Sequence, residues 1–423
     1  LAGLTCAKCL YEAGQRVRVL EASDGAGGRV RTDVHKDGYR LDRGFQVLFT
    51  AYPAARRHLD IEGLKLRSFE PGALLVKDGK RYEIADPMRN PNKLLPGMLN
   101  PLISTADKLR VLRLVRQVTG LSTAEIFGTK DVPAGEDETT EDYLRDLGFS
   151  EEGFIDHFAR PFYGGIFLDR SLRTSARMFK FTFKMLATGA TILPAEGMQR
   201  IPDQLVAALP PNTVRYNARV ADLVIEEGKV RGVRLASGER LNSEQVVVAT
   251  DGPTATALTG LPVPSTPVGS VCLYFSGDER LYAQRKILLN ANGNGLVNNA
   301  VLLTNIAPTY APPRKHLLSA TVLGNPQVDD ETLARHCLGE LARWFMESDL
   351  SGWKFLAAYR IPYSQFAQEP GVFDTLPSNR TSIEGLYLAG EYTESSSIHG
   401  AMHSGEKTAA AITSPSRHPL LAN

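Results

Sequence analysis

The sequence lacks several features that would assign a chain quickly to a class. No apolar run approaches the roughly 18 to 20 residues that a membrane-spanning helix needs. Four scattered cysteines (Cys6, Cys9, Cys272 and Cys337) form neither a disulfide framework nor a zinc ribbon. The formal net charge of +1 provides no global field that would attract nucleic acid. We therefore expect a globular protein without a nucleic-acid partner.

Signatures of metal-dependent or hydrolytic chemistry are also lacking. Among eight histidines only His399 and His403 are spaced as helical metal ligands can be, and a third ligand is missing. No Ser, His and Asp order predicts a hydrolase, so we expect no metal and assign no catalytic residue. The Cys6-x-x-Cys9 pair is interpreted as two small apolar residues on a helix, with a redox pair as the alternative.

A length of 423 residues predicts two domains, or one domain threaded through another. Periodicity and turn residues place the expected elements along the chain. We predict helices at 4–14, 104–118 and about 400–412, mostly helical structure at 151–189, strands at 17–20, 246–250, 271–275 and 386–389, a strand meander at 214–235, and a surface loop at 129–141.

Two short segments near the start of the chain predict a dinucleotide site. Gly3 lies before a helix, and Glu21 ends the next strand at about the spacing at which an acid reaches a ribose hydroxyl in a Rossmann unit. Gly27-Gly28-Arg29 follows, where backbone N–H groups and a fixed positive charge can approach a pyrophosphate. A solvated strand end and a simple loop are the alternatives for these two segments.

These segments carry a family resemblance. Val19-Leu20-Glu21-Ala22 followed by Gly27-Gly28-Arg29-Val30 resembles the extended FAD fingerprint of amine oxidases, protoporphyrinogen oxidase and carotenoid desaturases. Asp42–Leu48 is similar to the phytoene desaturase segment that lies over the flavin, and 386–410 resembles the C-terminal FAD motif. The resemblance implies an FAD cofactor bound by Gly3, Glu21, Ala22, Gly27, Gly28, Arg29, Gly44, Phe45, Gln46, Val47, Val220, Gly390, Glu391, Ile398, His399 and Ala401.

The sequence departs from the family pattern at three positions. His399 stands where relatives usually carry Glu, and Glu391 stands where Asp is commoner. Ser270 precedes the strand Val271–Phe275, where amine oxidases carry a lysine beside the flavin. The third departure weakens the amine-oxidase interpretation. We expect His399 to tune the flavin as a neutral imidazole without being the catalytic base.

Aromatic residues crowd into 154–183 and include Phe162, Tyr163 and Phe167. They are either ordinary core or, as the desaturase resemblance implies, an apolar substrate pocket. The paired Gly164-Gly165 within them suggests a close backbone approach. The basic and leucine-rich helix at 104–119 is either a surface helix or an interfacial one that contacts a membrane. The second interpretation is kept open by the apolar residues before it, Leu94, Leu95, Met98, Leu99, Leu102 and Ile103.

The resemblance implies an α/β fold, with a Rossmann-like FAD-binding domain and an inserted α+β substrate domain containing an antiparallel sheet and helices. We assign 1–58, 190–262 and 372–423 to the discontinuous FAD-binding domain, and 59–189 with 263–371 to the substrate domain. The expected activity is FAD-dependent removal of hydride from an apolar substrate, of desaturase or dehydrogenase type. A flavin-dependent amine oxidase and a non-redox flavoprotein, either isomerase or scaffold, remain alternatives.

Oxygen or a quinone is the expected electron acceptor, because no second glycine-rich turn follows a strand in the way that a nicotinamide site requires. The chain opens at Leu1 without Met or a preceding strand, so we expect two further glycines of the first turn upstream. The compartment is not fixed by the sequence. A location in the cytoplasm, soluble or peripheral to a membrane, is favoured.

Overall fold

The computed structural model describes residues 1–85, 100–128 and 135–414. The strands of these segments are β1 (Val19–Leu20), β2 (Thr32–Val34), β3 (Arg40–Asp42), β4 (Leu48–Phe49), β5 (Leu66–Ser68), β6 (Gly72–Lys77), β7 (Lys80–Ala85), β8 (Thr191–Pro194), β9 (Val214–Arg215), β10 (Val220–Glu226), β11 (Lys229–Leu235), β12 (Arg240–Asn242), β13 (Val246–Val248), β14 (Pro267–Gly277), β15 (Ile287–Asn290), β16 (Val297–Leu302), β17 (His316–Leu323), β18 (Lys354–Phe366) and β19 (Leu386–Leu388).

The α-helices are α1 (Ala2–Glu12), α2 (Pro53–His58), α3 (Thr105–Thr119), α4 (Thr123–Phe127), α5 (Thr140–Asp146), α6 (Arg160–Phe167), α7 (Ala176–Thr188), α8 (Arg200–Ala207), α9 (Gly252–Thr259), α10 (Leu303–Ile306), α11 (Asp330–Trp344) and α12 (Ile398–Thr413). A π-helix, Glu151–Ala159, leads directly into α6. None of the described helices is both long and apolar enough to cross a lipid bilayer.

Two parallel strand pairs and two packed helices bring the ends of the chain together. Strand β1 pairs with β9, and β13 pairs with β19. Helix α12 lies against α1 so closely that a Cβ at Gly405 would stand 2.4 Å from the carbonyl oxygen of Ala2. Cys6 and Cys9 pack in this contact as apolar side chains. Burial raises the pKa of Cys6 to about 12, so its thiol is protonated at neutral pH.

A seven-stranded sheet with the order β18-β14-β17-β16-β15-β6-β7 forms the second large unit. Its neighbours are antiparallel except for β15 and β6, which are parallel. The prediction of an antiparallel sheet is therefore corrected to a mixed one. One face packs on α11 through residues that include Leu333, Leu341 and Trp344, while the other face turns towards the aromatic helices α6 and α7.

Most of the elements predicted from the sequence are confirmed. The predicted meander is the β10-β11-β12 sheet, except that Val214 lies in β9, which pairs with β1. Helix α3 begins where expected, with Ser104 Oγ accepting a hydrogen bond from the Asp107 N–H at 3.0 Å. Helix α12 starts two residues earlier than predicted. Ser397 is its N-cap, and Oγ of Ser397 accepts from the Gly400 N–H at 2.8 Å.

The predicted surface loop at 129–141 is confirmed in part: residues 135–138 form no helix or strand, and Gly135 and Glu136 are exposed. Residues 129–134 lie outside the described segments, and so do Leu94, Leu95, Met98 and Leu99. Asp137 accepts hydrogen bonds from Ser175 Oγ at 2.6 Å and from the Gly371 N–H at 3.0 Å, and Thr140 is buried at the start of α5. The acidic side chain anchors this segment to the fold, and a polar composition alone could not reveal such contacts.

The proposed division into two domains stays a prediction. All strands of the seven-stranded sheet fall within 59–189 and 263–371, whereas β1, β9, β13 and β19 fall in the remainder. Strand β5 lies in the first of these ranges but pairs with β8, which lies outside it.

Candidate functional site

One continuous cavity of about 2670 Å³ extends from the parallel strand pairs to the aromatic helices. Every residue that the sequence assigned to the cofactor lines it except His399, and so do Phe162, Tyr163 and Phe167. The described residues include no group of three His, Cys, Asp or Glu side chains that could hold a metal ion. The cavity thus brings together motifs from both ends of the chain and from its aromatic centre.

Glu21 lines the cavity directly after the end of β1. Its backbone is fixed between two segments, because its N–H donates to the Arg215 carbonyl at 2.9 Å and its carbonyl accepts from the Ala218 N–H at 2.8 Å. Oε1 of Glu21 accepts from the N–H and the Oγ of Ser23, both at 2.8 Å. No described residue donates to Oε2, so one carboxylate oxygen can accept hydrogen bonds from a ligand.

The glycine turn beside it requires glycine at one position for a steric reason. Gly27 has φ of +123°, and a Cβ there would lie 2.3 Å from the carbonyl oxygen of Val30. Gly28 also has a positive φ, of +60°. The sharp turn leaves backbone next to the cavity without side chains. Gly3 on α1 is equally constrained, since its Cβ would stand 2.9 Å from the Cβ of Ala249.

Arg29 and Glu391 form an ion pair that joins the two ends of the chain. Nη2 of Arg29 donates to Oε1 of Glu391 at 2.5 Å, and Nη1 donates to the carbonyl of Ser364 at 2.6 Å. Burial would lower the pKa of Arg29, but the charge and hydrogen bond of Glu391 outweigh it and raise that pKa. The guanidinium also lies 5.5 Å from the ring centre of Tyr363. The charge is therefore held in one position on the cavity wall.

Gln46 supplies a polar atom that still needs a partner. Its Nε2 donates to the carbonyl oxygen of Arg29 at 2.7 Å, which fixes the amide against the glycine turn. Its Oε1 is buried and has no hydrogen-bond partner among the described residues. Because a buried acceptor without a partner is costly, its position on the cavity wall indicates that a bound molecule donates to it.

The set of groups fits FAD. A free carboxylate oxygen at Glu21 suits a ribose hydroxyl, and the bare glycine turn suits a pyrophosphate. Helix α12 places Ile398 and Ala401 on the same wall, and its N-terminus carries partial positive charge. Oε1 of Gln46 suits a ring N–H. The four features all lie on the wall of one cavity.

His399 is the exception among the predicted residues. Its ring is buried in an aromatic stack, with centroids 5.7 Å from Tyr52, 5.2 Å from Phe181 and 5.5 Å from His403. Nδ1 accepts from the Ala54 N–H at 3.3 Å. Burial, together with the neighbouring charges, lowers the pKa of His399 to about 3, so the imidazole is neutral. His399 is not among the residues that line the cavity, and its role towards the flavin stays a prediction.

Glu406 explains the orientation of this stack. Its carboxylate accepts from Arg57 Nε at 2.6 Å and is bonded to Nε2 of His58 at 2.6 Å and to Nδ1 of His403 at 2.8 Å. These partners lower the pKa of Glu406 against the opposing effect of burial. No sequence motif predicts this clamp between α2 and α12, because its members are ordinary polar residues of two helices.

The aromatic half of the cavity lies under the seven-stranded sheet. Tyr163 and Phe167 are 2% and 3% exposed, with their ring centres 5.9 Å apart, and Phe162 lies 5.1 Å from Tyr163. The close approach expected at the glycine pair is confirmed, since a Cβ at Gly165 would stand 2.8 Å from Nδ2 of Asn298. These rings therefore belong both to the packed core and to the lining of the cavity.

The cavity reaches the surface at α3. Leu109 and Leu112 both line it and are 62% and 41% exposed. Lys108 on the same helix is the one lysine among the described residues that line the cavity, and its Nζ donates to the Asn100 carbonyl at 3.3 Å. Ser270, which stands at the position of the amine-oxidase lysine, lines the inner wall.

Sequence reasoning missed four polar residues of the inner wall. Asn299, Thr321, Ser364 and Gln365 line the cavity from strands of the seven-stranded sheet. The one weak indication of these residues was Thr321 within the apolar run of β17. Because both faces of that strand carry apolar residues, the alternation of polar and apolar residues could not assign Thr321 to a face.

Comparison with known proteins agrees with this geometry. Residues 1–413 match the family model described as flavin containing amine oxidoreductase. The chain is 24% identical over 450 residues to a 15-cis-phytoene desaturase of Glycine max, covering 98% of this chain and 78% of the relative. It is 26% identical over 475 residues to a zeta-carotene desaturase of Synechocystis sp., covering 97% and 95%.

Solved structures show the same fold at lower identity. An oxidoreductase from Methanosarcina mazei superposes with a TM-score of 0.72 at 19% identity, covering 97% of each chain. A putrescine oxidase bound to putrescine gives a TM-score of 0.72 at 18% identity, covering 97% of this chain and 96% of the other. Together with the family match, the α/β fold and the FAD-type cavity, this likeness leads to one conclusion: the chain belongs to the flavin-containing amine oxidoreductase family and is an FAD-dependent oxidoreductase.

Proposed function

We propose that the protein uses FAD to remove a hydride from an apolar substrate, in the manner of a desaturase or dehydrogenase. The observation that carries the proposal is the continuity of the cavity, which joins the cofactor groups at Glu21 and Arg29 to the aromatic wall of Phe162, Tyr163 and Phe167. An apolar molecule entering past α3 reaches the cofactor end without leaving the cavity. Aromatic walls bind such molecules by burying their surface.

The protein's own residues bind and orient. Glu21 would accept from the adenosine ribose, the turn at Gly27 and Gly28 would leave room for the pyrophosphate, and Oε1 of Gln46 would accept from the flavin ring. When bound, FAD supplies the hydride acceptor, so that a protein acid or base is not required. The N-terminus of α12 stabilises negative charge near Ile398 and Ala401. The remaining proposed cofactor contacts are those of Gly3, Ala22, Gly44, Phe45, Val47, Val220 and Gly390.

The wall composition favours carbon–carbon over carbon–nitrogen oxidation. Amine oxidases of this family carry a lysine where this chain has Ser270, and the lysine that does line the cavity, Lys108, lies on α3 at the entrance. The two curated relatives named above are desaturases of phytoene and zeta-carotene, at 24% and 26% identity. An amine oxidase and a non-redox flavoprotein, either isomerase or scaffold, are the competing functions.

The entrance suggests how an apolar substrate arrives. Leu109 and Leu112 are exposed on α3, and Arg113 and Arg116 are exposed beside them. Apolar side chains next to basic ones favour peripheral contact with an anionic lipid surface. A quinone dissolved in the same membrane, or oxygen, would then reoxidise the cofactor.

Anaerobic mixing of the FAD-loaded protein with a substrate panel tests the proposal. Phytoene and zeta-carotene in detergent, putrescine and spermidine, and protoporphyrinogen are each mixed with the oxidised protein, and bleaching of the flavin absorbance is followed. Bleaching by the polyenes within turnover times supports the proposal. Bleaching by the amines alone makes the protein an amine oxidase. If the flavin stays oxidised while a substrate is isomerised, the redox proposal is refuted.

A further inference from the structure

The apolar half of the cavity contains a row of uncharged polar side chains on the seven-stranded sheet. We call it the polar row: Asn299 on β16, Thr321 on β17, Ser270 on β14, and Ser364 with Gln365 on β18. These strands are neighbours in the sheet order β18-β14-β17-β16. The row therefore crosses four adjacent strands on the face that lines the cavity.

Contacts along the row fix its position. Nδ2 of Asn299 donates to Oγ1 of Thr321 at 3.2 Å, and the two residues are direct cross-strand partners. Thr321 pairs with Cys272, two residues from Ser270 on the same face of β14. Oγ of Ser270 lies 3.1 Å from Oγ of Ser364. The row is thus preorganised.

Helix α6 holds the row from the opposite side. Nε2 of Gln365 donates to the carbonyl of Ile166 at 2.7 Å. A Cβ at Gly165 would lie 3.1 Å from Oδ1 of Asn299, so the helix backbone approaches the row closely. The aromatic residues of α6 and the polar row consequently face the same space, and a ligand that lies along the rings also meets the row.

The internal contacts leave hydrogen-bonding capacity unused. Thr321 accepts from Asn299, but its hydroxyl donates to no described residue. Nδ2 of Asn299 uses one of its two hydrogens, and no described residue donates to Oε1 of Gln365. Asn299 and Thr321 are 3% and 6% exposed, so bulk water does not readily meet these needs. Groups in such a setting stabilise a ligand that bonds to them and reject one that cannot.

We propose that the substrate is an uncharged, mostly apolar molecule with a hydroxyl or carbonyl oxygen that binds the polar row at Thr321 and Asn299. This inference rests on the proposed function and specifies its substrate class. No charged side chain of the described residues is hydrogen-bonded to Thr321 or Asn299, so a carboxylate or ammonium group would be buried at these two residues without a counter-charge. A hydrocarbon would fill the aromatic wall and leave the row without partners.

The test uses octane and 1-octanol as matched probes that differ in one hydroxyl. Each is titrated into the oxidised FAD-loaded protein, and displacement of the dye Nile red reports binding. Thr321→Val keeps the shape of the side chain and removes the hydroxyl, and Thr321→Ser restores it. Ser319→Ala is the control, because Oγ of Ser319 is buried on the same strand without a partner among the described residues and lies off the cavity wall. Each variant is compared with wild type for the same probe, which removes differences in solubility.

We expect Thr321→Val to weaken 1-octanol binding roughly 3- to 10-fold, the effect of one hydrogen bond, and to leave octane binding unchanged. Thr321→Ser and Ser319→Ala should bind both probes as wild type does. Equal effects of Thr321→Val on both probes, or none, would overturn the inference while leaving the proposed function intact. If the wild type binds neither octane nor 1-octanol, the apolar site of the proposed function is contradicted, and this inference is contradicted as well.

Discussion

Replacing Glu21 by glutamine tests the adenosine end of the site with little change in shape. In the structure Oε1 is used by the N–H and hydroxyl of Ser23, and a glutamine oxygen can accept the same two bonds. The change therefore removes the negative charge and converts Oε2, which has no donor among the described residues, into a donor. A ribose hydroxyl would lose a charge-assisted hydrogen bond, worth about 1–3 kcal/mol or roughly a 5- to 150-fold increase in Kd. Because Glu21 is only half-buried, solvent screening favours the lower half of that range.

The assay is titration of the apoprotein with FAD, followed by quenching of flavin fluorescence. Glu12→Gln is the matched control, because Glu12 is exposed on α1 and pairs with Lys8 across one helical turn. Ser23→Ala tests the orienting role separately and should weaken FAD binding by less than Glu21→Gln. If Glu21→Gln and Glu12→Gln bind FAD with the same Kd, then Glu21 does not contact the cofactor and the site begins further along the cavity.

Three further outcomes are expected. Acidification from about pH 6.5 towards pH 3 should destabilise the wild type more than His399→Phe in thermal unfolding. The reason is that burial lowers the pKa of His399 from 6.5 to about 3 in the folded protein, so the unfolded chain binds a proton in this pH range that the folded protein does not. Identical pH profiles of the two proteins would contradict a buried neutral imidazole. Leu109→Asp with Leu112→Asp should weaken sedimentation with anionic vesicles about tenfold or more, whereas Met346→Asp, at an apolar residue 69% exposed and off the cavity wall, should not. NADH and NADPH should fail to reduce the flavin in stopped-flow mixing, and reduction within milliseconds would refute oxygen or quinone as the acceptor.

The cofactor half of the site could be predicted from the sequence because its constraints are local. The turn at Gly27 needs a positive φ and an open backbone, so the residue type itself reports the geometry. Glu21 follows a strand at a fixed spacing from Gly3, which depends only on the length of one helix and one strand. Such constraints can be recognised within one segment of the sequence. All of the predicted cofactor residues except His399 line the cavity.

His399 shows where a motif stops being informative. The motif correctly placed it in the first turn of α12, but the direction of its ring depends on Tyr52, Phe181 and the Glu406 clamp, which belong to three other segments. A helix residue one position from a cavity-lining neighbour points about 100° away around the helix axis. Ile398 therefore lines the cavity while His399 packs against α2, and the carboxylate of the family pattern would meet an aromatic stack at this position.

The substrate half was less predictable for a reason that also bears on function. The polar row consists of one residue each on β14, β16 and β17 and two on β18, and only the pairing of those strands brings them to one face. A shift of one residue in any strand would turn its member to the opposite face, against α11. The proposed cofactor residues therefore lie in contiguous sequence motifs, whereas the proposed substrate residues come together only when the sheet has formed. The family match therefore shows the cofactor, whereas the proposed preference for an oxygenated substrate over a hydrocarbon rests on Thr321 and Asn299, two side chains outside every motif.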